Sequence, residues 1–227
     1  MTSIAENIAL TLTRIREAEA QSRRSPHSVK LLAVSKTRPA SELREAYAEG
    51  IRDFGENYLQ DALAKIELLA DLDISWHFIG PLQSNKTRPV AEHFHWVHSV
   101  DRLKIARRLS EQRPESMPPL NLCVQVNISE ELNKSGVLLD EAEELVREIG
   151  KLDNLRIRGL MAIPQAGLSE QQQRQTFGRL HNLLEHLKTV SPNLDTLSMG
   201  MSQDMNAAVA EGATIVRIGT AIFGARN

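Results

Sequence analysis

The sequence predicts an α/β protein in which eight parallel strands close into a (β/α)8 barrel of the TIM type. Short apolar runs alternate with longer helix-like stretches along the whole chain, and the runs number eight. Alternating strands and helices imply parallel strands joined by right-handed crossovers. The 227 residues fit one barrel without requiring a second domain. We therefore expect residues 1–227 to form a single domain.

The predicted strands share a short apolar body that ends in polar or small residues. They are residues 29–35, 51–56, 75–79, 96–99, 121–127, 156–163, 196–199 and 214–219. The helical periodicity between them predicts seven helices, within residues 41–50, 58–70, 85–94, 102–113, 138–152, 168–190 and 202–212. An open doubly wound sheet would give the same alternation. The barrel is favoured because open sheets usually stop at fewer strands, and the absence of a glycine-rich dinucleotide fingerprint after the first strand weakens the open sheet further.

An amphipathic helix is predicted at the N-terminus. Ser3 and Glu6 have the spacing of a capping box, and the apolar residues that follow recur at helical spacing, namely Ile4, Ile8, Leu12 and Ile15. Nothing helical is expected after the last strand. We therefore expect the N-terminal helix to cover the last strand in place of an eighth helix.

The composition is that of a soluble globular protein, with 41% hydrophobic and 25% charged residues. A net charge of -2 argues against nucleic acid or anionic lipid as a dominant partner. The single cysteine, Cys123, lies in an apolar run and is expected to be buried as a small hydrophobe. The N-terminus has acidic residues and no continuous apolar core, so we expect neither a signal peptide nor a membrane span, and a cytoplasmic location.

The ends of the strands carry the candidate functional residues, because active sites of barrels form at the carboxyl ends of the strands. Lys36 ends the first strand and has two interpretations. It is either a solvated lysine whose stem covers the strand end, or a desolvated amine able to form a Schiff base with an aldehyde or ketone.

The last two strands favour the chemical interpretation of the lysine. Residues 198–202, S-M-G-M-S, and residues 217–220, R-I-G-T, end these strands in small and hydroxyl-bearing residues. The loops after strands seven and eight are the usual phosphate site of a barrel, although tight packing would explain either glycine equally well. Strand eight neighbours strand one in a closed ring, so one ligand could contact both the anion site and the lysine.

The remaining polar residues are weaker candidates. His93 and His95 are expected near the floor of the barrel, where the strands begin, and His98 near its rim, where the strands end. A shared metal is therefore not expected. His77 is either a satisfied interior histidine or a ligand contact. Residues 133–136 follow strand five in a loop that could bind a ligand or be an ordinary surface loop.

The motifs along the chain resemble those of the pyridoxal phosphate homeostasis protein family, small relatives of alanine racemase with the type III fold of pyridoxal phosphate (PLP) proteins. They are AVSKTRP at 33–39, FGENYLQ at 54–60, WHFIGPLQSNK at 76–86, NISEELNKSG at 127–136, GLMAIP at 159–164, SMGMSQDM at 198–205 and VRIGTAIFGAR at 216–226. The resemblance implies that PLP forms a reversible aldimine with Lys36. It also implies intracellular PLP homeostasis or supply, without established catalysis.

The resemblance also implies roles for other residues. Ser202, Gly219 and Thr220 would hold the phosphate, with Ser198 and Gly200 in the same segment, and Arg217 would face the pyridine nitrogen. Asn57, His77 and Met161 would line the pocket, and Lys134 lies in a segment implicated in handling the cofactor. Some relatives carry lysine at Arg38. PLP-dependent apo-enzymes are the implied recipients.

An arginine at the pyridine nitrogen disfavours protonation of the ring and weakens it as an electron sink. Racemases with this barrel take a second acid/base from a further domain, which we do not expect here, and its absence makes a monomer the expected state. Two other functions stay open. One is a PLP-dependent amino-acid racemase of low activity, and the other is an aldolase that uses Lys36 on a phosphorylated sugar.

Overall fold

The computed structural model describes residues 3–131 and 134–225, and its strands form a closed barrel in the order β1 to β8. The strands are β1 Lys30–Val34, β2 Asp53–Glu56, β3 Ser75–Phe78, β4 Trp96–Val100, β5 Leu120–Gln125, β6 Leu155–Met161, β7 Thr196–Ser198 and β8 Ile215–Ile218. Each strand is parallel to its neighbours, and β8 pairs with β1. The predicted fold class is confirmed, and the open sheet is excluded.

Helices surround the strands, as the sequence pattern predicts. They are α1 Ile4–Gln21, α2 Ala40–Ala48, α3 Leu59–Leu68, α4 Thr87–His93, α5 Leu103–Gln112, α6 Ala142–Ile149, α7 Glu170–Leu187, α8 Met205–Ala210 and α9 Thr220–Phe223, with a 3-10 turn at Ser84–Lys86. The expectation of no helix after the last strand is wrong, because α9 follows β8. Residues 220–223 are too few to show a helical period.

The N-terminal helix covers the side of the barrel where α9 is too short to do so. The predicted capping box is confirmed, because the Ser3 and Glu6 side chains each accept a hydrogen bond from the other's backbone N–H. α1 packs against α2, α8 and α9, and the Asn7 side chain donates a 2.9 Å hydrogen bond to the Ile222 carbonyl. The two terminal parts of the chain therefore close the outer ring together.

The core lies between the strands and the helices and continues into the barrel. The buried aromatic side chains of Phe54, Phe78 and Phe94 belong to one large apolar cluster, which drives folding by removing apolar surface from water. Cys123 is fully buried, as predicted, beside Trp96, and burial raises the pKa of its thiol to about 12. Among the described residues, no helix is both long and apolar enough to cross a membrane.

The turn between α1 and β1 is held by a buried carboxylate. Glu19 accepts hydrogen bonds from the backbone N–H groups of Val29, at 2.7 Å, and His27, at 3.1 Å, and it also pairs with Arg16. Burial by itself would raise the pKa of Glu19, but these bonds outweigh burial and lower the pKa. The ionised carboxylate thus fixes where the first strand begins.

Replacing Glu19 by glutamine removes the charge and should lower the free energy of unfolding by about 1.5–3 kcal/mol near neutral pH, the usual range for hydrogen bonds to a charged group. Because the folded pKa lies below the unfolded one, this stabilisation is present above the unfolded pKa and is lost as pH falls through the folded pKa. Urea unfolding near neutral pH and in acid measures the difference between wild type and variant. A difference that does not shrink in acid would contradict the assignment.

Candidate functional site

The mouth of the barrel is lined by the segments that follow the strands, and Lys36 lies in the first of them. The Ser35 backbone N–H donates to the Gly55 carbonyl at 3.0 Å, so pairing with the second strand extends past β1. Lys36 comes next and is half-buried. Thr37 then takes a left-handed conformation, with φ of 64°, which is uncommon for a β-branched residue and marks a backbone that its surroundings must hold.

A buried ammonium group holds the backbone on both sides of Lys36. Lys65 of α3 is 3% exposed, and its Nζ donates to the Ser35 carbonyl and to the side chains of Glu56 and Asp61, each at 2.8 Å. Asp61 in turn accepts a 3.2 Å hydrogen bond from the Thr37 backbone N–H. One cation therefore fixes the residue before Lys36 directly and the residue after it through a carboxylate.

Glu56 supplies the second acid of this cluster. Its Oε1 accepts from Lys65 and, at 2.6 Å, from the Ser35 hydroxyl. Burial raises the pKa of Glu56 although Lys65 and Ser35 favour the charged form. A buried carboxylate needs such partners, and we refer to Ser35, Glu56, Asp61 and Lys65 as the lysine clamp.

The predicted anion site lies next to Lys36. Gly219 follows β8. A methyl group in place of its hydrogen would lie 3.0 Å from the Val34 carbonyl oxygen, so the backbone after β8 is in close contact with the end of β1. Val34 precedes Lys36 by two residues. Thr220 is exposed and Ser202 half-exposed at the same end of the barrel, so the small residues of the last two strands border the strand that carries the lysine.

Gly200 has a packing role of its own. Its φ is 95°, and a Cβ at this position would lie 2.6 Å from the Ala208 side chain on α8. Only glycine combines this conformation with this approach. Tight packing, the second interpretation given for the glycines, therefore explains Gly200. Contact of Gly200 with an anion stays a prediction.

Arg217 lies inside the barrel with its guanidinium group bound to neutral acceptors. Nη1 donates to the Ser198 hydroxyl at 2.9 Å and also to the Ser198 carbonyl, and Nη2 donates to the Ala162 carbonyl at 3.0 Å. The side chain is 5% exposed, and burial lowers the pKa of the guanidinium to about 10. Arg217 therefore remains charged at neutral pH and is held by the ends of β6 and β7.

The histidines are arranged differently from the sequence expectation. His98 lies within β4, which extends to Val100, and it is fully buried in the barrel. The prediction that His98 lies near the rim is wrong, because the strand continues beyond it. His77 is also fully buried, and its ring nitrogens bond to His98 and Asp53. The interior alternative for His77 is thus supported.

The other predicted pocket residues lie at the ends of β2 and β6. Asn57 follows β2, and its buried Oδ1 has no hydrogen-bond partner among the described residues. Met161 ends β6 and is buried beside Trp96 and Cys123. The orphan amide oxygen of Asn57 is an acceptor that a ligand or a water molecule could satisfy.

The floor histidines and the loop after β5 lie apart from these residues. His93 ends α4, and His95 accepts a hydrogen bond from the Trp76 backbone N–H at 3.0 Å. Lys134 pairs with Glu131 at 2.5 Å, whereas Asn133 lies outside the described residues. Within residues 3–131 and 134–225, no three His, Cys, Asp or Glu side chains are grouped to bind a metal ion.

Sequence reasoning missed Asp53, Glu56 and Lys65 as parts of the site. Asp61 and Lys65 do have the i, i+4 spacing of a helical ion pair, and Glu56 was read only as a strand end. That Lys65 turns inward, toward the end of β1, follows from the packing of α3 and carries no local sequence signal. Asp53 lies at the start of β2, at the end of the barrel opposite the strand ends that carry the predicted site residues.

Comparison with known proteins agrees with the fold. The family model of the alanine racemase N-terminal domain matches residues 12–227, which defines the chain as an alanine racemase-like barrel. A protein of Pseudomonas aeruginosa named pyridoxal phosphate homeostasis protein is 61% identical over 100% of this chain and 97% of its own. The Escherichia coli protein of the same name is 51% identical over 100% and 98%.

A solved structure of PipY from Synechococcus elongatus, with PLP bound, shares the fold of this chain. It superposes with a TM-score of 0.84 at 40% identity and covers 98% of this chain and 100% of that one. The chain therefore belongs to the alanine racemase N-terminal domain family and, within it, to the pyridoxal phosphate homeostasis proteins.

The lysine clamp makes a prediction for stability. Replacing Lys65 by methionine leaves the carboxylates of Glu56 and Asp61 without their common partner, and we expect the free energy of unfolding to fall by about 3–5 kcal/mol. Lys188→Met is the matched control, since Lys188 forms an exposed pair with Glu185 and such pairs contribute little. Chemical denaturation measures both variants. Equal losses for the two would show that the clamp does not hold the structure.

Proposed function

We propose that this chain, as a single domain of residues 1–227, binds PLP through Lys36 and takes part in intracellular PLP homeostasis or supply. Condensation of the lysine amine with the cofactor aldehyde forms a C=N bond and releases one water. Exchange with an incoming amine would transfer the C=N bond to that amine, return the free lysine amine and release the cofactor as the new imine. Such a site can hold a reactive aldehyde and later release it without turning over a substrate.

The contact between Gly219 and Val34 carries the proposal. It brings the end of β8, the predicted phosphate segment, against the strand that leads into Lys36. Side chains alternate along a strand, so Val34 lies on the same side of β1 as Leu32, whose register partner on β8 is Arg217. We propose that Lys36, two residues beyond Val34, faces this side as well. The proposal therefore puts the amine, the anion site and the arginine on one side of adjacent strands.

The residues present fit the chemical groups of PLP. Ser202, Gly219 and Thr220 would hold the phosphate, with Ser198 and Gly200 belonging to the same segment. Asn57 and Met161 would border the ring, with Arg217 at the pyridine nitrogen. The implied contact of His77 with the ring is not retained, because both of its ring nitrogens already bond inside the barrel. The orphan Asn57 Oδ1 supports this assignment, because a bound ligand would give a buried acceptor its missing donor.

The charge on Arg217 favours a holding function over catalysis. A cationic guanidinium donates a hydrogen bond to the ring nitrogen and disfavours its protonation, so the ring is a weak electron sink. The relatives' names describe homeostasis, and PipY is named with PLP bound. Both support PLP binding, and the names describe homeostasis rather than a reaction.

The wider biological setting is also part of the proposal. PLP-dependent apo-enzymes are the recipients we propose, with Lys134 taking part in handling the cofactor. The net charge of -2 gives no reason to expect binding to nucleic acid or membranes. We propose a cytoplasmic monomer, on the composition of the chain and on a barrel whose outer ring is closed by its own helices.

Lys36→Ala should abolish the absorbance band of the covalent complex that forms when PLP is added and the excess is removed by gel filtration. The reason is that no other amine is expected to reach the aldehyde from this position. Borohydride reduction followed by peptide mapping should place the cofactor on Lys36 in wild type, and Lys188→Ala should behave as wild type. A Lys36→Ala protein that keeps the band would contradict the proposal.

The racemase alternative requires a proton to enter at the substrate α-carbon. Incubation of the PLP-loaded protein with single-enantiomer alanine in deuterated water should leave the α-position without deuterium, because the unprotonated ring stabilises a carbanion poorly. Mass spectrometry and chiral chromatography measure the outcome. Deuterium incorporation that depends on Lys36 would favour the racemase.

A further inference from the structure

Arg217 is a buried cation without a carboxylate in direct contact among the described residues. Its hydrogen bonds go to two carbonyls and the Ser198 hydroxyl. A buried charge is costly unless an opposite charge or a set of oriented dipoles compensates it. What lies behind Ser198 therefore determines how well the cation is held.

A chain of hydrogen bonds leads from Ser198 across the interior of the barrel. The Ser198 hydroxyl lies 2.8 Å from His98 Nδ1, and His98 Nε2 lies 2.9 Å from His77 Nδ1. His77 Nε2 lies 3.0 Å from Asp53 Oδ1. Asp53 stands at the first residue of β2, on the floor, where Lys30 pairs with it at 3.1 Å. The chain thus joins the floor of the barrel to Arg217.

The protonation states of its members determine in which direction the hydrogen bonds of this series are donated. Burial lowers the pKa of both His77 and His98, so both rings are neutral at neutral pH. Burial would raise the pKa of Asp53, but its bonds to His77 and Lys30 outweigh burial and lower that pKa. Asp53 is therefore an ionised acceptor and requires a proton on the nitrogen that faces it, His77 Nε2.

The other protons follow from the first. A neutral histidine carries one N–H, so His77 Nδ1 accepts and His98 Nε2 must donate to it. His98 Nδ1 then accepts, and the Ser198 hydroxyl donates to it. The Ser198 oxygen is left to accept from Arg217. Every donor in the chain points away from the guanidinium and toward the floor.

We propose that Asp53, His77, His98 and Ser198 form a hydrogen-bond relay of fixed direction that turns the acceptor side of Ser198 toward Arg217. In this arrangement the negative end of each dipole faces the buried cation, and hydrogen bonds in series polarise one another. Asp53, His77 and His98 are then positioning residues for Arg217, although none of the three contacts it.

The relay rests on the proposed function only for the role of Arg217 at the pyridine nitrogen of PLP. In that role the relay would keep the arginine charged and oriented as a donor, which leaves the ring nitrogen unprotonated. The relay itself is a property of the chain without ligand. It can therefore be tested whether or not Lys36 binds PLP.

The structure also contains the group that could reverse the relay. The Ser75 hydroxyl lies 3.2 Å from His77 Nε2 and can either accept or donate. If Asp53 is replaced by leucine, Ser75 can donate to His77 Nε2, and the proton of His77 moves to Nδ1. His98 must then accept at Nε2 and carry its proton on Nδ1, so both rings change tautomer.

Long-range 1H–15N NMR of the ligand-free protein, labelled with 15N-histidine, distinguishes the tautomers at neutral pH. In wild type, His77 and His98 should both be neutral with the proton on Nε2. In Asp53→Leu, the proton should move to Nδ1 in both rings, so that the 15N shift typical of a protonated nitrogen is found at Nδ1 and that of an unprotonated nitrogen at Nε2. This change should include His98, which does not contact residue 53. Lys30→Met keeps Asp53 and should leave both tautomers unchanged.

Wild type alone provides a test if Asp53→Leu does not fold. A charged ring, or a proton on Nδ1 of either histidine, would overturn the proposal. Ser198→Ala gives a second test, because the direction is set at the floor, and both tautomers should persist when the Arg217 end of the relay is removed. An Asp53→Leu protein that folds but leaves the His98 signals unchanged would show that Asp53 does not set the direction of the relay, which would overturn the proposal.

Discussion

Pairing of the last strand with the first is the constraint on which the site depends. The register of β8 on β1, from Lys30 opposite Ile215 to Ala33 opposite Ile218, closes the ring and brings Gly219 against Val34. Residues separated by most of the chain length thereby become neighbours. An open sheet with the same strands would leave Lys36 and the segment after β8 on different edges.

The structure distinguishes two lysines near the end of β1 by their surroundings. Lys65 is enclosed by three oxygen acceptors, each at 2.8 Å, which match the three N–H donors of a lysine side chain. It is a structural cation. Lys36 stands on the backbone that the lysine clamp holds and is half-buried at the mouth, which suits an amine that must reach an aldehyde at a defined position.

Much of the fold could be predicted from the sequence because strand bodies, turn residues and helix periodicity are local signals. The strands begin and end within a few residues of their predicted positions, and the Ser3 capping box is present. Candidate site residues could be located from the sequence where they lie at strand ends, as at Lys36 and Gly219, and their roles stay predictions. α9 was missed because its four residues show no period, and His98 was misplaced because two further strand residues follow it.

The clamp and the relay could not be predicted, since both depend on which side chains meet across the barrel. His77, His98 and Ser198 come from β3, β4 and β7, and Lys65 comes from a helix. Each residue has an ordinary interpretation by itself, as a core histidine, a strand serine or a helical ion pair. Their roles follow only from partners on other elements and from the need to satisfy every buried polar group.

A crystal structure of the protein grown with PLP tests the central claim most directly. The account predicts continuous density from Lys36 Nζ to the aldehyde carbon, the phosphate between the segments 198–202 and 217–220, and the pyridine nitrogen at Arg217. Density for PLP elsewhere on the protein, or a Lys36 side chain directed into solvent away from those segments, would contradict it.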